Sequence, residues 1–243
     1  MHLPDFHAHI LPGADHGSDS VATSLAQLRL AKAAGIDRIF ATSHYYPHVE
    51  SVAEFLTRRN AAYRALMEAT ASDPGAYPDI RLGAEALCCH GMEHLPDLEK
   101  LCVYGTNVIL LELPFTGFSE DFVNAAYAMT RAGIRVVLAH TDRYPKEDIE
   151  RMLTVDGIHM QLNAEALAGL FPKRHLFEWM ERGLVVALGS DIHKADAKAY
   201  ARFLKAEKRL GAAYEGVLRT SGEIFTEAEP FPWESVPVGT SHT

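Results

Sequence analysis

Seven short apolar segments, each followed by a longer stretch with apolar residues at three-and-four spacing, restrict this chain to few folds. The segments are residues 5–9, 38–44, 80–85, 108–113, 136–140, 159–163 and 185–191. Short strands alternating with amphipathic helices are the pattern of an α/β domain with a parallel sheet. In the first crossover, Ser18 or Asp19 is placed to cap a helix whose Val21, Leu25 and Leu28 share one face, with Gly35 closing it. Helices are likewise expected over 52–66, with Phe55, Leu56 and Tyr63 inward, over 121–131 ending at Gly133, and over 174–181 ending at Gly183. Right-handed crossovers that cover one face of seven parallel strands lead to a closed or nearly closed barrel, with a doubly wound open sheet as the alternative. No Gly-x-Gly-x-x-Gly follows a strand and no Gly-x-x-x-x-Gly-Lys-Ser/Thr occurs, so the phosphate cradles of nucleotide folds are absent. A chain of 243 residues, 48% hydrophobic, can build one large core. We therefore expect a single barrel domain over residues 1–229. The stretch from Glu227 onward carries Pro230, Pro232 and Pro237, and residues 230–243 are expected to form an extended or disordered tail.

The polar residues at the carboxyl ends of these segments carry the functional signal. They read His7 and His9, His44, Glu85, Glu112, His140, Asn163, and Asp191 with His193. In a parallel barrel these ends open onto one face, where barrel active sites lie. His7-Ala8-His9 and Asp191-Ile192-His193 repeat at a spacing of two, which turns both side chains of each pair to the same side of an extended chain. Glu112 follows Val108-Ile109-Leu110-Leu111, where an uncompensated carboxylate would be costly and a metal ion would compensate it. Imidazoles and carboxylates without thiolates suit zinc, manganese or iron better than calcium or magnesium. The remaining histidines, His2, His48, His90, His94, His159, His175 and His242, lack this context and read as solvated or structural.

Bulk composition excludes other classes. A net charge of -9 argues against a broad nucleic-acid footprint. No stretch approaches the roughly 18 apolar residues that a membrane helix needs, and His and Asp stand where a signal sequence would have its apolar core. A cytoplasmic protein with no membrane insertion is expected. Cys88, Cys89 and Cys102 form no Cys-x-x-Cys pair and no disulfide framework, which fits a reduced compartment.

The motifs Asp5-Phe6-His7-Ala8-His9-Ile10-Leu11-Pro12-Gly13, Ala41-Thr42-Ser43-His44, Leu111-Glu112-Leu113-Pro114-Phe115, Leu138-Ala139-His140 and Ser190-Asp191-Ile192-His193, with Arg143-Tyr144 and Gln161-Leu162-Asn163, resemble the polymerase and histidinol phosphatase (PHP) superfamily. Within it, the chain is similar to the bacterial manganese-dependent protein-tyrosine phosphatases encoded with capsule and exopolysaccharide genes. The resemblance implies a distorted (β/α)7 TIM-like barrel holding three divalent metal ions, manganese in the first instance, with iron or zinc as substitutes. It implies that His7, His9, Glu85 and Asp191 hold one ion, that Glu85 bridges to a second completed by Glu112 and His140, and that His16, His44 and His193 hold the third. Where the branch has Asp-Asp-Gly this chain has Asp15-His16-Gly17, so His16 takes the ligand position with Asp15 as its competitor. The branch's His-Pro-Glu-Arg-Tyr becomes His140-Thr141-Asp142-Arg143-Tyr144, and a second arginine of the branch has only Lys194 and Lys198 nearby.

The implied partner is a phosphotyrosine protein, such as a bacterial tyrosine kinase, in the regulation of exopolysaccharide or capsule synthesis. The expected chemistry is direct in-line attack on phosphorus by a water or hydroxide bridging two ions, without a covalent phosphoenzyme. Arg143 is placed to bind two phosphate oxygens at once, and Asp191 or His193 is a candidate to protonate the leaving oxygen. Tyr45, Tyr46 and Phe115 are candidates to pack against an aromatic leaving group. A cysteine phosphatase would need Cys-x5-Arg, and His94, Leu95 and Val108 stand where that arginine would be. The alternatives are a PHP phosphatase of a small metabolite, such as histidinol phosphate or a nucleotide, and an amidohydrolase-like enzyme, which would need a metal-bridging lysine that no strand end supplies.

Overall fold

The computed structural model describes residues 3–226 and realises the alternation as a ring of parallel strands wrapped by helices. The strands β1 (Pro4–Ala8), β2 (Arg38–Ala41), β3 (His44–Tyr45), β4 (Asp79–Leu82), β5 (Glu85–Leu87), β6 (Val108–Glu112), β7 (Arg135–Leu138), β8 (His159–Asn163) and β9 (Val185–Gly189) form two sheets, of order β1-β2-β4 and β3-β5-β6-β7-β8-β9. The two sheets are parts of one layer. Arg38–Ala41 pairs with Asp79–Leu82, and His44 pairs with Glu85 in the same register. Gly83 N–H donates to Ala41 O at 2.9 Å and Glu85 N–H to Ser43 O at 3.0 Å, carrying the ladder across the gap. The expected strands 38–44 and 80–85 are therefore each broken in two. At the break the buried Arg59 donates through Nη1 to Gly83 O at 3.0 Å, which draws that carbonyl out of the ladder.

The first and last strands close the ring. Asp191 N–H donates to His7 O at 2.8 Å and His9 N–H to Ile192 O at 3.0 Å, around a parallel bridge between Ala8 and Ile192. All seven expected strands are present and parallel.

Eight helices accompany the described strands: α1 (Val21–Ala33), α2 (Val52–Thr70), α3 (Glu120–Arg131), α4 (Lys146–Met152), α5 (Ala164–Ala168), α6 (Arg174–Glu181), α7 (Ala197–Leu210) and α8 (Ala212–Thr226). The first is capped by Ser20, whose side chain accepts from Thr23 N, and not by Ser18 or Asp19. Ser18 is buried and meets Ser24 Oγ at 2.7 Å, while Asp19 takes the Thr23 hydroxyl. This helix buries Ser24, Gln27, Leu28 and Ala31, and leaves Val21 and Leu25 half-buried. The next begins at Val52 with a capping box from Ser51 and Glu54 and runs beyond the expected Leu66 to Thr70. The tail expected from Glu227 onward lies outside the described residues.

Two apolar clusters result. The larger lies between strands and helices and includes Phe55, Trp179 and Phe203. The smaller draws Phe6, Phe40, Val108, Leu110, Val137 and Val186 from strands all round the ring and so fills its interior, joined by Ile224 and Phe225 of α8. The rings of Phe6, Phe40 and Phe225 meet with centroids 4.7 to 5.4 Å apart. Arg135, which opens β7, donates to the carbonyls of Glu223 and Ile224, so this helix seals the amino-terminal end of the strands.

Candidate metal centre

The opposite end of the ring is built of charge, dry at its centre and open at its rim, where His16 is exposed. His7, His9, Glu85 and His140 are at most 1% exposed, and His44 and Glu112 are buried. Glu85 is the hub. Its Oε2 lies 3.0 Å from His7 Nε2, 3.2 Å from His9 Nε2 and 3.2 Å from His44 Nδ1, and its Oε1 lies 2.7 Å from His140 Nε2. Glu112 reaches His140 Nε2 at 3.6 Å and His44 Nδ1 at 3.8 Å, and Asp191 Oδ1 lies 3.3 Å from His9 Nε2. His16, from the loop after β1, stacks its ring 4.6 Å from that of His44 and 4.7 Å from that of His193. Every residue expected as a metal ligand is thus in one cluster. Among the described residues, His7-His9-Glu85, His44-Glu85-Glu112 and His9-His44-His193 each bring three donor atoms within 4.8 Å of one another.

The backbone is bent to achieve this. His140 (φ 30°) and Asp191 (φ 52°) adopt the left-handed conformation that non-glycine residues seldom take. Two glycines make room for ligand side chains. A Cβ on Gly17 would lie 2.7 Å from His9 O, and one on Gly189 would lie 2.5 Å from His7 Cβ.

A second layer orients the imidazoles. His9 Nδ1 donates to Asp15 Oδ2 at 2.8 Å, the same oxygen accepts from His44 N at 3.0 Å, and Asp15 Oδ1 accepts from Gly17 N at 2.9 Å. His7 Nδ1 lies 3.0 Å from Gln161 Oε1. His193 Nδ1 donates to Asp191 O at 3.0 Å, leaving Nε2 bare. The sequence marked Asp15 as a competitor of His16 for the ligand position and Gln161 as part of the Gln161-Leu162-Asn163 motif, without showing that either meets an imidazole.

Electrostatics follow from this crowding. Burial alone would lower the imidazole of His140, but Glu112 and Glu85 outweigh it and raise it to about 9. His7 and His9 are raised in the same way, against burial, by the carboxylates of Glu85, Asp191 and Asp15. Burial lowers His44 to about 3. Glu85 and Asp191, despite burial, are held well below the usual carboxylate range by His7 and the other imidazoles.

At the rim, half-exposed Arg143 pairs through Nη2 with Asp191 Oδ2. Phe115, 64% exposed, lies over His140 with centroids 6.0 Å apart, and half-buried Tyr46 stacks on His44 at 5.2 Å. Tyr45 does not belong here, because it is fully buried against Phe55. His90, His94, His159 and His175 lie away from the cluster, on Asp121, Glu93, Gly157 O and Trp179 respectively. Burial raises the thiol of Cys88 to about 12 and that of Cys102 further, so neither offers a thiolate.

The sequence profile of the CpsB/CapC family of capsular polysaccharide synthesis matches residues 3–219. This chain belongs to the CpsB/CapC family. No curated protein matches it. Among solved structures, one described under YwqE from Bacillus subtilis and CpsB from Streptococcus pneumoniae, unique metal-dependent tyrosine phosphatases, is 24% identical, covers 95% of this chain and 100% of its own, and superposes with a TM-score of 0.71. A probable 2-pyrone-4,6-dicarboxylic acid hydrolase from Acinetobacter baumannii is 12% identical, covers 93% and 99%, and gives 0.51. A β-aspartyl dipeptidase from Fervidobacterium islandicum is 11% identical, covers 94% and 76%, and gives 0.50. These likenesses place the CpsB/CapC chain among TIM-like barrels.

The donor set of this CpsB/CapC member fits divalent cations. It mixes buried imidazole nitrogens with carboxylate oxygens, and the buried His44 Nδ1 has no hydrogen-bond partner although Glu85 and Glu112 oxygens lie within 4 Å. No described helix is long and apolar enough to cross a membrane.

Proposed function

We propose that this protein is a metal-dependent phosphomonoesterase that hydrolyses phosphotyrosine on a protein partner, such as a cytoplasmic tyrosine kinase, within capsular polysaccharide synthesis. The observation that carries this reading is the convergence of buried His7, His9, His44, Glu112 and His140 around the Glu85 carboxylate, with Asp191 and His193 beside them and the Arg143 guanidinium at the rim. The family and the likeness to metal-dependent tyrosine phosphatases support it.

We assign three divalent ions, manganese foremost. His7, His9, Glu85 and Asp191 would hold the first, Glu85, Glu112 and His140 the second, and His16, His44 and His193 the third. Asp15 is spent on His9, His44 and Gly17, which supports His16 as the ligand and Asp15 as the group that orients His9. When bound, such ions supply a nucleophilic water at neutral pH and positive charge to meet the phosphoryl oxygens.

The protein's own groups do the rest. Arg143 presents its remaining N–H donors to a phosphate dianion while its Asp191 contact fixes its direction. Asp191 is strongly held as a carboxylate, and His193 donates its Nδ1–H to Asp191 O, so its Nε2 would be free to hold a cation. Both therefore act as ligands, and Arg143 is the catalytic residue that binds no metal. Phe115 and Tyr46, lying over two ligand histidines, offer aromatic faces to a phenyl leaving group.

The test is manganese-loaded protein assayed on p-nitrophenyl phosphate, then on phosphotyrosine peptides against histidinol phosphate. Turnover of the peptides is expected to dominate. No hydrolysis of any phosphomonoester after metal loading would overturn the proposal, and preference for histidinol phosphate would overturn its substrate.

A further inference from the structure

Gln161 and Asn163 are the residues of the β8 motif that the catalytic assignment leaves without a task. Gln161 is fully buried inside the ring, where its neighbours Met160 and Leu162 face the outer core. One of its amide atoms lies 2.6 Å from the backbone N of His140. A backbone N–H can only donate, so that atom is the oxygen, Oε1. The same oxygen lies 3.0 Å from His7 Nδ1, and because it can only accept, the hydrogen of the neutral His7 ring must sit on Nδ1. The lone pair of Nε2 is then directed at the cluster, 3.0 Å from Glu85 Oε2 and 3.1 Å from His9 Nε2. The other end of the amide is equally committed. Nε2 donates to Asn163 Oδ1 at 3.0 Å, and Asn163 Nδ2 reaches Asp191 Oδ2 at 3.4 Å.

We infer that Gln161 is a positioning residue that selects the metal-binding nitrogen of His7 and pins the left-handed backbone of His140, so that one amide couples ligands from opposite parts of the ring. The inference rests on the metal reading above and adds a component that touches no ion. His140, at φ 30°, is anchored at its N–H by this buried acceptor, which offsets part of the cost of the left-handed conformation. The space is reserved by Gly189, where a Cβ would stand 2.7 Å from Gln161 Nε2. His7 and His140 are assigned to different ions, so loss of Gln161 weakens both of those ions together. The His16-His44-His193 group, which Gln161 does not contact, keeps its ion.

The experiment is manganese titration of wild type, Gln161→Leu and Gln161→Glu, with bound metal counted after desalting, and long-range 1H–15N spectra of the zinc-loaded proteins. Gln161→Leu keeps the volume without the acceptor. It is expected to lose two ions by the roughly 10- to 100-fold in affinity typical of such orienting partners while retaining the third, and the His7 Nδ1–H signal is expected to lose its hydrogen-bonded position. Gln161→Glu, which still accepts from both donors but no longer donates to Asn163 Oδ1, is expected to restore the His7 Nδ1–H signal and to bind metal more tightly than Gln161→Leu. If Gln161→Leu does not fold, Gln161→Asn, whose oxygen is withdrawn by one methylene, takes its place. Wild-type affinity in the Leu or Asn variant, equal loss of all three ions, or an unmoved His7 signal would overturn the inference. A wild-type protein that binds no manganese would instead sink the metal reading itself.

Discussion

The two ends of the ring are made by the same strands and each has a buried centre, yet they are held together by different means. At the amino-terminal end, Phe6, Val108, Leu110 and Val137 meet each other and Phe225, and contact between carbon surfaces is sufficient. At the carboxyl end the same strands finish in His7, Glu112 and His140, whose charges must be compensated by one another, by protons or by cations. The backbone shows the contrast too. Among described non-glycine residues the positive φ values belong to Asp97, His140 and Asp191, and two of these three lie at the charged end. Packing sets the stability of one end, whereas directed hydrogen bonds set the geometry of the other.

That contrast can be broken by measurement. The largest effect is expected from Glu85→Gln, which removes charge from the hub contacted by four imidazoles. Manganese affinity should fall by more than the roughly 10- to 100-fold that orienting partners contribute, with hydrolysis at background. Retained turnover would show that the hub is elsewhere. Phe40→Ala, at the other end, should cost about 3 to 5 kcal/mol of stability and lower the melting temperature, while bound manganese per folded molecule stays at the wild-type value. Loss of metal in that variant would mean the two ends are not separable. Arg143→Lys should leave metal content unchanged and raise KM for phosphotyrosine peptides by roughly 10- to 100-fold, the worth of a charged hydrogen bond. An unchanged KM would reduce Arg143 to a surface ion pair.

The smallest effect is one of pH. In chelator-stripped protein His140 is raised from 6.5 to about 9, so its contribution to stability is fully present below pH 6.5 and is lost as pH rises through 9. His7 and His9, raised likewise, act in the same direction. Melting temperature should therefore fall across this window without metal and hold steady with it, because bound cations replace the lost protons. A flat profile in the stripped protein would contradict the proton's role as stand-in.

Much of this was legible beforehand for a physical reason. Strand ends in a parallel ring face one way, so His7, His44, Glu85, Glu112, His140 and Asp191 could be gathered without knowing any distance. What stayed hidden depends on partners distant in sequence or on competition among neighbours. Arg59 breaking the ladder at Gly83 needs a contact across 24 positions, and Gln161 reaching His7 needs one across 154. Ser18, Asp19 and Ser20 all suit a helix cap; burial removes the first and the Thr23 hydroxyl engages the second, which leaves Ser20. Tyr45 and Tyr46 are adjacent and alike, yet strand alternation sends one into the core and the other over His44.

The joint between the first and last strands has a consequence for how such a protein comes into being. Asp5 and Ser190, bonded at that joint, are 185 positions apart, and His7 with His9 on one side faces Asp191 with His193 on the other. During synthesis the first pair leaves the ribosome long before the second exists. A nascent or truncated chain therefore carries an incomplete binding place, and full occupancy certifies that the barrel has been made to its last strand and shut.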